Sequence, residues 1–371
     1  MENTFLILGG YGNTGYLIAK YLLKENDVKI ILAGRNLNKA RNAADRLNAE
    51  MNCEKVSAEF ADASDYYSLV SVFQKSSFVI NASSTMEFAG TVARACIDTN
   101  NNYLDTQLSS GEKINTLRSF EKEIDEKNLL FITDGGYHPG MVSALVRYAA
   151  PKFEKLYKAN VYAYMNIDWR KYNFSEATLN EFIGEIKNYN YTVYKNAKWV
   201  KADFSRIPKY NFGEEIGEEQ CAAMFMEELK ELPDLFPSLN ETGFYIGGMD
   251  WFTNYITFPL GMILFKMAPR FATKFMGRIF EFGVNNFCKP PFLVMLEVDA
   301  EGIIENKTVK HKVTISHSDG YELTAAPVAA CLHQYLRKSL PSSGLFLQAN
   351  IVEPISFFNF IKNTGIKLSE T

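Results

Sequence analysis

The chain has few of the residues on which metal and disulfide chemistry depend, with 4 histidines and 5 cysteines in 371 residues. Cys53, Cys96, Cys221, Cys288 and Cys331 are odd in number, widely spaced and without a C-x-x-C pair. That excludes a disulfide framework and points to reduced thiols in a cytoplasmic protein. His311, His317 and His333 lack the spacing of metal ligands, so no metal site is expected. There is no H-E-x-x-H, no G-K-S/T and no G-x-S-x-G, which removes zinc hydrolysis, P-loop nucleotide chemistry and a serine nucleophile elbow. Nor is there a basic excess: the net charge is −4 and no block of one sign stands out, so a nucleic-acid partner is not expected. Residues 251–265 are uncharged but contain Asn254, Pro259 and Gly261, and the run is short of the ~18 to 20 apolar residues of a transmembrane helix. Because the first strand pattern begins within a few residues of Met1, no signal peptide is expected.

What is present is apolar and ordered in pattern. A hydrophobic share of 47% rules out a disordered chain, and 371 residues allow two domains. The first third alternates strand-like runs at 5–8, 28–33, 56–60, 78–82, 103–105 and 129–133 with helix-like segments at 13–24, 37–49, 65–74, 87–100 and 112–126. That alternation predicts a doubly wound parallel α/β sheet over residues 1–150. From Pro151 the alternation stops. A strand at 158–167, a helix at 175–187, a strand at 191–199, an antiparallel pair at 292–300 and 307–316 around Gly302, and a helix at 325–338 suggest an α+β domain with a mixed sheet over 151–321.

Gly10-Tyr11-Gly12-Asn13-Thr14-Gly15 stands between the first strand and the first helix. In that context Gly10 permits a tight turn, Gly12 lets a pyrophosphate approach the backbone, and Gly15 allows helix and strand to pack closely. The helix start, with Asn13 and Thr14, offers N–H groups and a positive dipole end to phosphate. The second strand ends in Gly34-Arg35-Asn36, with no carboxylate for a ribose 2′-hydroxyl. Arg35 suits a 2′-phosphate, with Lys39 and Arg41 close behind, so NADP is favoured and NAD is the alternative. Ligands of such sheets lie beyond the carboxyl ends of the strands. Asp62 is placed to meet the adenine or its ribose, while Asn81, Ala82 and Ser83 face the nicotinamide side, as do Asp105 and the loop Asp134 to Gly140. His138 is the first candidate proton donor, because an ordinary imidazole titrates near ~6.5. Asp105 is the second, and Tyr137 shapes the pocket wall.

These residues, with Ala95-Cys96, Tyr103-Leu104-Asp105-Thr106 and Gly136-Tyr137-His138-Pro139-Gly140, follow in an order that resembles the saccharopine dehydrogenase family. The likeness covers about the first 150 residues, and Thr324-Ala325-Ala326-Pro327-Val328 and Pro354-Ile355-Ser356-Phe357-Phe358 look similar to the ends of such enzymes. It implies a Rossmann-type NADP-binding domain, a second domain for substrate and homodimer contacts, and a C-terminal segment, 322–371, that packs back on the first domain. It also implies hydride transfer to or from an amino-acid-derived imine, secondary amine or related carbonyl compound. Members acting on saccharopine-like amino acids commonly carry a cysteine and an acid where this chain has Gly135 and His138.

After Pro269, Phe271, Phe275 and Ile279 recur every four residues beside Ala272, Met276 and Phe280, flanked by Arg270, Lys274 and Arg278. Such a helix either packs on its own domain or a dimer partner, or lies on a membrane surface through residues 269–283. The alternatives to an amino-acid substrate are therefore a lipid-like substrate reduced at a membrane surface, and a non-catalytic NADP-binding regulator or scaffold.

Overall fold

The computed structural model describes residues 3–108, 110–171, 189–267 and 269–371. It divides into two compact units, Met1–Ala144 with Tyr321–Ile366 and Leu145–Gly320 with Lys367–Thr371. The division thus falls at 144/145 and not at 150, and the last residues, 367–371, belong with the second unit and not the first.

In the first unit β1 (Thr4–Leu8), β2 (Lys29–Gly34), β3 (Val56–Phe60), β4 (Phe78–Asn81), β5 (Asn102–Asp105), β6 (Leu130–Thr133) and a late strand, β16 (Gly344–Leu347), form one sheet. All neighbours are parallel, in the order β16-β6-β5-β4-β1-β2-β3. Phe5, Leu6 and Ile7 in β1 and Phe78, Val79 and Ile80 in β4 are fully buried. Strands buried on both faces read as continuous apolar runs, which is why these central strands were the easiest to see in the sequence. The helices are α1 (Asn13–Glu25), α2 (Leu37–Met51), α3 (Tyr66–Phe73), α4 (Ala89–Asp98), α5 (Gly111–Arg118) and α6 (Glu121–Glu126). The segment expected as one helix at 112–126 is thus two. Phe120, between them, packs on the core formed by Leu69, Val92, Leu117 and Phe131. The chain runs outward in opposite directions from β1 and β4, so the switch point lies between their carboxyl ends.

The second unit is a mixed sheet, as expected. Apart from a separate antiparallel pair, β10 (Lys209–Asn211) and β11 (Glu218–Gln220), its strands are β7 (Lys155–Asn166), β8 (Thr192–Lys195), β9 (Lys198–Lys201), β12 (Ala222–Met224), β13 (Glu241–Gly247), β14 (Leu293–Ile304), β15 (Lys307–His317) and β17 (Lys367–Glu370). They are ordered β17-β15-β14-β7-β13-β8-β9 with β12 on β13, and only β7 and β13 pair parallel. Two expectations are corrected here. The run 191–199 is a hairpin, because Asn196 and Ala197 take φ of 53° and 57°, the left-handed pair of a two-residue turn. The pair β14/β15 turns at Glu305 and Asn306, with φ of 50° and 62°, and not at Gly302. Gly302 lies inside β14 at a register shift, where a Cβ would come 2.3 Å from the Lys155 carbonyl oxygen. The helix expected at 325–338 starts earlier, spanning Gly320–Leu336. The helix expected at 175–187 lies outside the described residues.

In the helix Pro269–Phe287 the buried row is Met276, Phe280 and Val284, set against Phe258, Leu264 and Phe265 of the preceding helix Phe258–Met267. Met276 and Phe280 belong to the expected apolar face, whereas Phe275 of that face is exposed.

Candidate cofactor and active site

The glycine loop is built by contact with the next strand. Gly9 N–H donates to the Ala33 carbonyl at 2.8 Å and Gly12 N–H to the Gly9 carbonyl at 2.9 Å. The left-handed turn residue is Gly9, with φ of 81°, and not Gly10 as expected. Gly15 is where helix meets strand: a Cβ there would lie 2.5 Å from the Gly9 carbonyl oxygen. At Gly12 a Cβ would meet only that same oxygen, at 3.2 Å, so its outer side is open. Asn36, Asp65 and Ser110 side chains cap α2, α3 and α5, but α1 starts at Gly12 with no side-chain cap. A pyrophosphate suits that end, since its oxygens would take the place of the cap beside Asn13 and Thr14.

Arg35 follows β2 and is exposed. The Tyr11 ring lies over Gly34, where a Cβ would come 2.6 Å from it, and its hydroxyl accepts from Asn36 N–H at 3.2 Å. One aromatic side chain therefore ties the glycine loop to the turn that carries Arg35. Asp62, after β3, accepts from Ser64 N–H at 3.0 Å and Ser64 Oγ at 2.8 Å. Those bonds to Ser64 hold its carboxyl below the ordinary range, with Arg35 contributing less. The group thus fits a dinucleotide with a charged 2′ substituent: an open glycine, an uncapped helix end and a cation at the end of β2.

The carboxyl end of β4 is ordered by Asn81, which is fully buried. Its Oδ1 accepts from Ser83 Oγ at 2.6 Å, and a Cβ on Gly9 would come 2.7 Å from the Ala82 carbonyl oxygen. Asn81, Ala82 and Ser83 are thereby packed against the glycine loop, across the switch point.

Beside them Lys113, which the sequence pattern does not single out, joins the expected Asp105 and Asp134 in one buried group. Lys113 Nζ donates to Asp105 Oδ1 at 2.9 Å, to Asp134 Oδ1 at 2.7 Å and to the Gln107 carbonyl at 2.9 Å. All three charged side chains are 0% exposed. Ser110 Oγ accepts from Lys113 N–H at 3.1 Å, which fixes the first turn of α5 and points Lys113 inward with Ile114 and Leu117. Burial pushes the Lys113 ammonium pKa down, but the two carboxylates outweigh it and the net shift is upward. Tyr103, fully buried on β5, has its hydroxyl near Asn81 and Asp105 but makes no hydrogen bond of good geometry to either. A lysine beside Ile114 on a short helix carries no sequence mark of burial; the only hint is that two strand ends nearby both finish in aspartate.

The loop after β6 is clamped. Asp134 takes φ of 57°, Gly135 N–H donates to the Asp105 carbonyl at 2.8 Å, and Gln348 Nε2 donates to the Gly140 carbonyl at 3.1 Å. Gln348, fully buried just past β16, is a second missed residue. At Gly135 a Cβ would sit 2.8 Å from the Asp105 carbonyl oxygen, so this loop has no room for the cysteine common in the family it resembles. His138 is partly buried, with its ring edge-on to Tyr137 at 4.3 Å. Burial lowers its pKa to about 4, so the ordinary value near ~6.5 assumed from sequence does not apply here. Tyr137 is buried and its phenol is raised.

Residues 5–129 match the family described as Saccharopine dehydrogenase NADP binding domain. The first part of the chain thus carries a saccharopine dehydrogenase-type NADP-binding domain. Its fold is similar to that of apo saccharopine dehydrogenase (L-Glu forming) from Saccharomyces cerevisiae, with a TM-score of 0.67 and 14% identity over 100% of this chain and 99% of that one. Part of it is similar to a short-chain dehydrogenase/reductase from Veillonella parvula in complex with NADP, with a TM-score of 0.28 and 15% identity over 36% of this chain and 68% of that one. A search of curated protein sequences finds no match. The matched domain is an NADP-binding one, so NADP is the cofactor, and no described helix is long and apolar enough to cross a membrane.

Proposed function

We propose that the chain transfers hydride at the carbon of a carbon–nitrogen bond in a small amino-acid-derived imine or secondary amine, or at a related carbonyl carbon. The observation that carries this reading is the buried cluster at the ends of β5 and β6. Asp105 and Asp134 bring two negative charges against one on Lys113, and Asp105 Oδ2 is buried without a hydrogen bond of good geometry among the described residues. Surplus negative charge away from water favours a positive centre nearby, such as a protonated imine nitrogen.

The glycine loop and Arg35 would hold NADP, which when bound would supply or take up the hydride. Lys113 and Gln348 are positioning residues: one holds the two carboxylates and the other holds the loop. His138 is neutral at physiological pH and accepts a proton at a ring nitrogen in the oxidative direction. Tyr137, with its raised pKa, keeps its proton and forms the wall behind His138. Incubation with NADPH and mixtures of 2-oxo acids and amino acids tests the reading through cofactor oxidation. Turnover with those mixtures supports it. Turnover only with long-chain aldehydes moves the substrate to the lipid class, and tight NADPH binding without turnover of either leaves a regulator.

A further inference from the structure

The second unit carries an apolar surface that the chemistry above does not use. Eight of the 13 exposed large apolar side chains among the described residues lie between Trp251 and Phe282, so the exposure is concentrated and not scattered. Trp251 is 54% exposed, Tyr255 62%, Ile263 56%, Met267 78% and Phe282 54%. Rings of Trp251, Phe252 and Phe282 touch one another in turn, and apolar exposure concentrated in this way marks a surface that something covers.

The same stretch is basic. Residues 251–287 contain Lys266, Arg270, Lys274 and Arg278 against Glu281 alone, three net positive charges on a chain whose total is −4. We infer that the Phe258–Met267 and Pro269–Phe287 helices seat on an anionic lipid surface, lying in the interface without crossing it. Three features favour lipid over a second copy of the chain. A two-fold interface would set this basic patch against itself. Tryptophan and tyrosine with apolar neighbours suit the interfacial zone, where one end of the ring is wet. And the Met276, Phe280 and Val284 row already anchors the second helix to the first, which leaves the outer face, with exposed Arg278 and Phe282, available to lipid.

The test is co-sedimentation of the full chain with phosphatidylserine-containing and with pure phosphatidylcholine vesicles, alongside its mass by analytical ultracentrifugation. The wild type is expected to sediment with the anionic vesicles and to be released by salt. Arg278→Ala weakens that binding about fivefold, and Ile263→Glu with Met267→Glu weakens it at least ~tenfold. The thermal unfolding profile of the full chain stays unchanged in both and shows that they are folded. Absence of binding to anionic vesicles at low salt overturns the inference. So does a wild-type dimer that the double glutamate variant converts to monomer, because the patch then belongs to a second copy.

Discussion

Replacing Lys113 with methionine removes the ammonium that joins two buried carboxylates. At an effective dielectric constant of ~20, each Lys113 contact, at 2.9 and 2.7 Å, is worth about 6 kcal/mol of Coulomb attraction. Taking three ions out of water costs several kcal/mol each, so the intact cluster adds little net stability. Removing one partner is different, because the desolvation of Asp105 and Asp134 remains while the attraction is gone. Lys113→Met is therefore expected to destabilise the protein by about 3 to 5 kcal/mol, read as a shift of the urea midpoint at pH 7 with the slope unchanged. Adding Asp105→Asn and Asp134→Asn to that variant should recover more than half of the loss, since no buried charge is then left unpaired. The sign in pH follows from the raised lysine pKa: its contribution is complete below the unfolded value near ~10.5 and fades only as pH rises through the folded value. Wild-type stability from this group should thus hold from neutral pH up to ~10. A Lys113→Met loss below ~1 kcal/mol, or no recovery in the triple variant, refutes the reasoning.

Other perturbations reach the cofactor and the proton. Arg35→Ala should weaken NADPH binding by tenfold or more, the loss of a charged hydrogen bond of about 1.5 to 3 kcal/mol, and leave NADH nearly unchanged in fluorescence titration; equal losses contradict the assignment. Gly15→Ala forces a Cβ to within 2.5 Å of the Gly9 carbonyl oxygen, and the displaced backbone should cost about 1 to 3 kcal/mol of stability and lower NADPH affinity. His138→Gln should lower kcat by about 10² or more with NADPH affinity intact. Because the folded pKa of His138 is depressed to about 4, its contribution to stability is present above ~6.5 and lost as pH falls towards the folded value. The wild type should therefore destabilise between about pH 6.5 and 4 more steeply than His138→Gln, and parallel curves would reject a buried neutral imidazole.

The sheet was legible where physics leaves a local trace. β1 and β4 are apolar on both faces, and the glycine loop must follow one strand and precede one helix. β16 left no such trace: four half-exposed residues at the sheet edge become a strand only because β6 is there to pair with. The same distinction separates the site residues. Arg35 and the strand-end Asn81 and Asp105 lie at the carboxyl ends of sheet strands, where ligands of such sheets bind, so the pattern alone pointed to them. Lys113 and Gln348 act through partners distant in sequence, and their side chains look like surface residues until the loops close over them. Gly9 takes the turn expected of Gly10, while Gly10 is glycine for another reason, its Cβ position being filled by the Ile7 carbonyl and Leu32, a packing fact between strands. The histidine pKa was misread for a similar reason, since burial and not residue type sets it.

The central claim is that this chain moves hydride at a carbon bonded to nitrogen. The most direct test is mass spectrometry of the products after incubation with NADPH deuterated at the transferred position of the nicotinamide and an imine formed from a 2-oxo acid and an amino acid. Deuterium on the carbon of the new amine, absent with Arg35→Ala at limiting NADPH and reduced with His138→Gln, is the predicted result. Deuterium retained in the cofactor under conditions where NADPH is bound contradicts it.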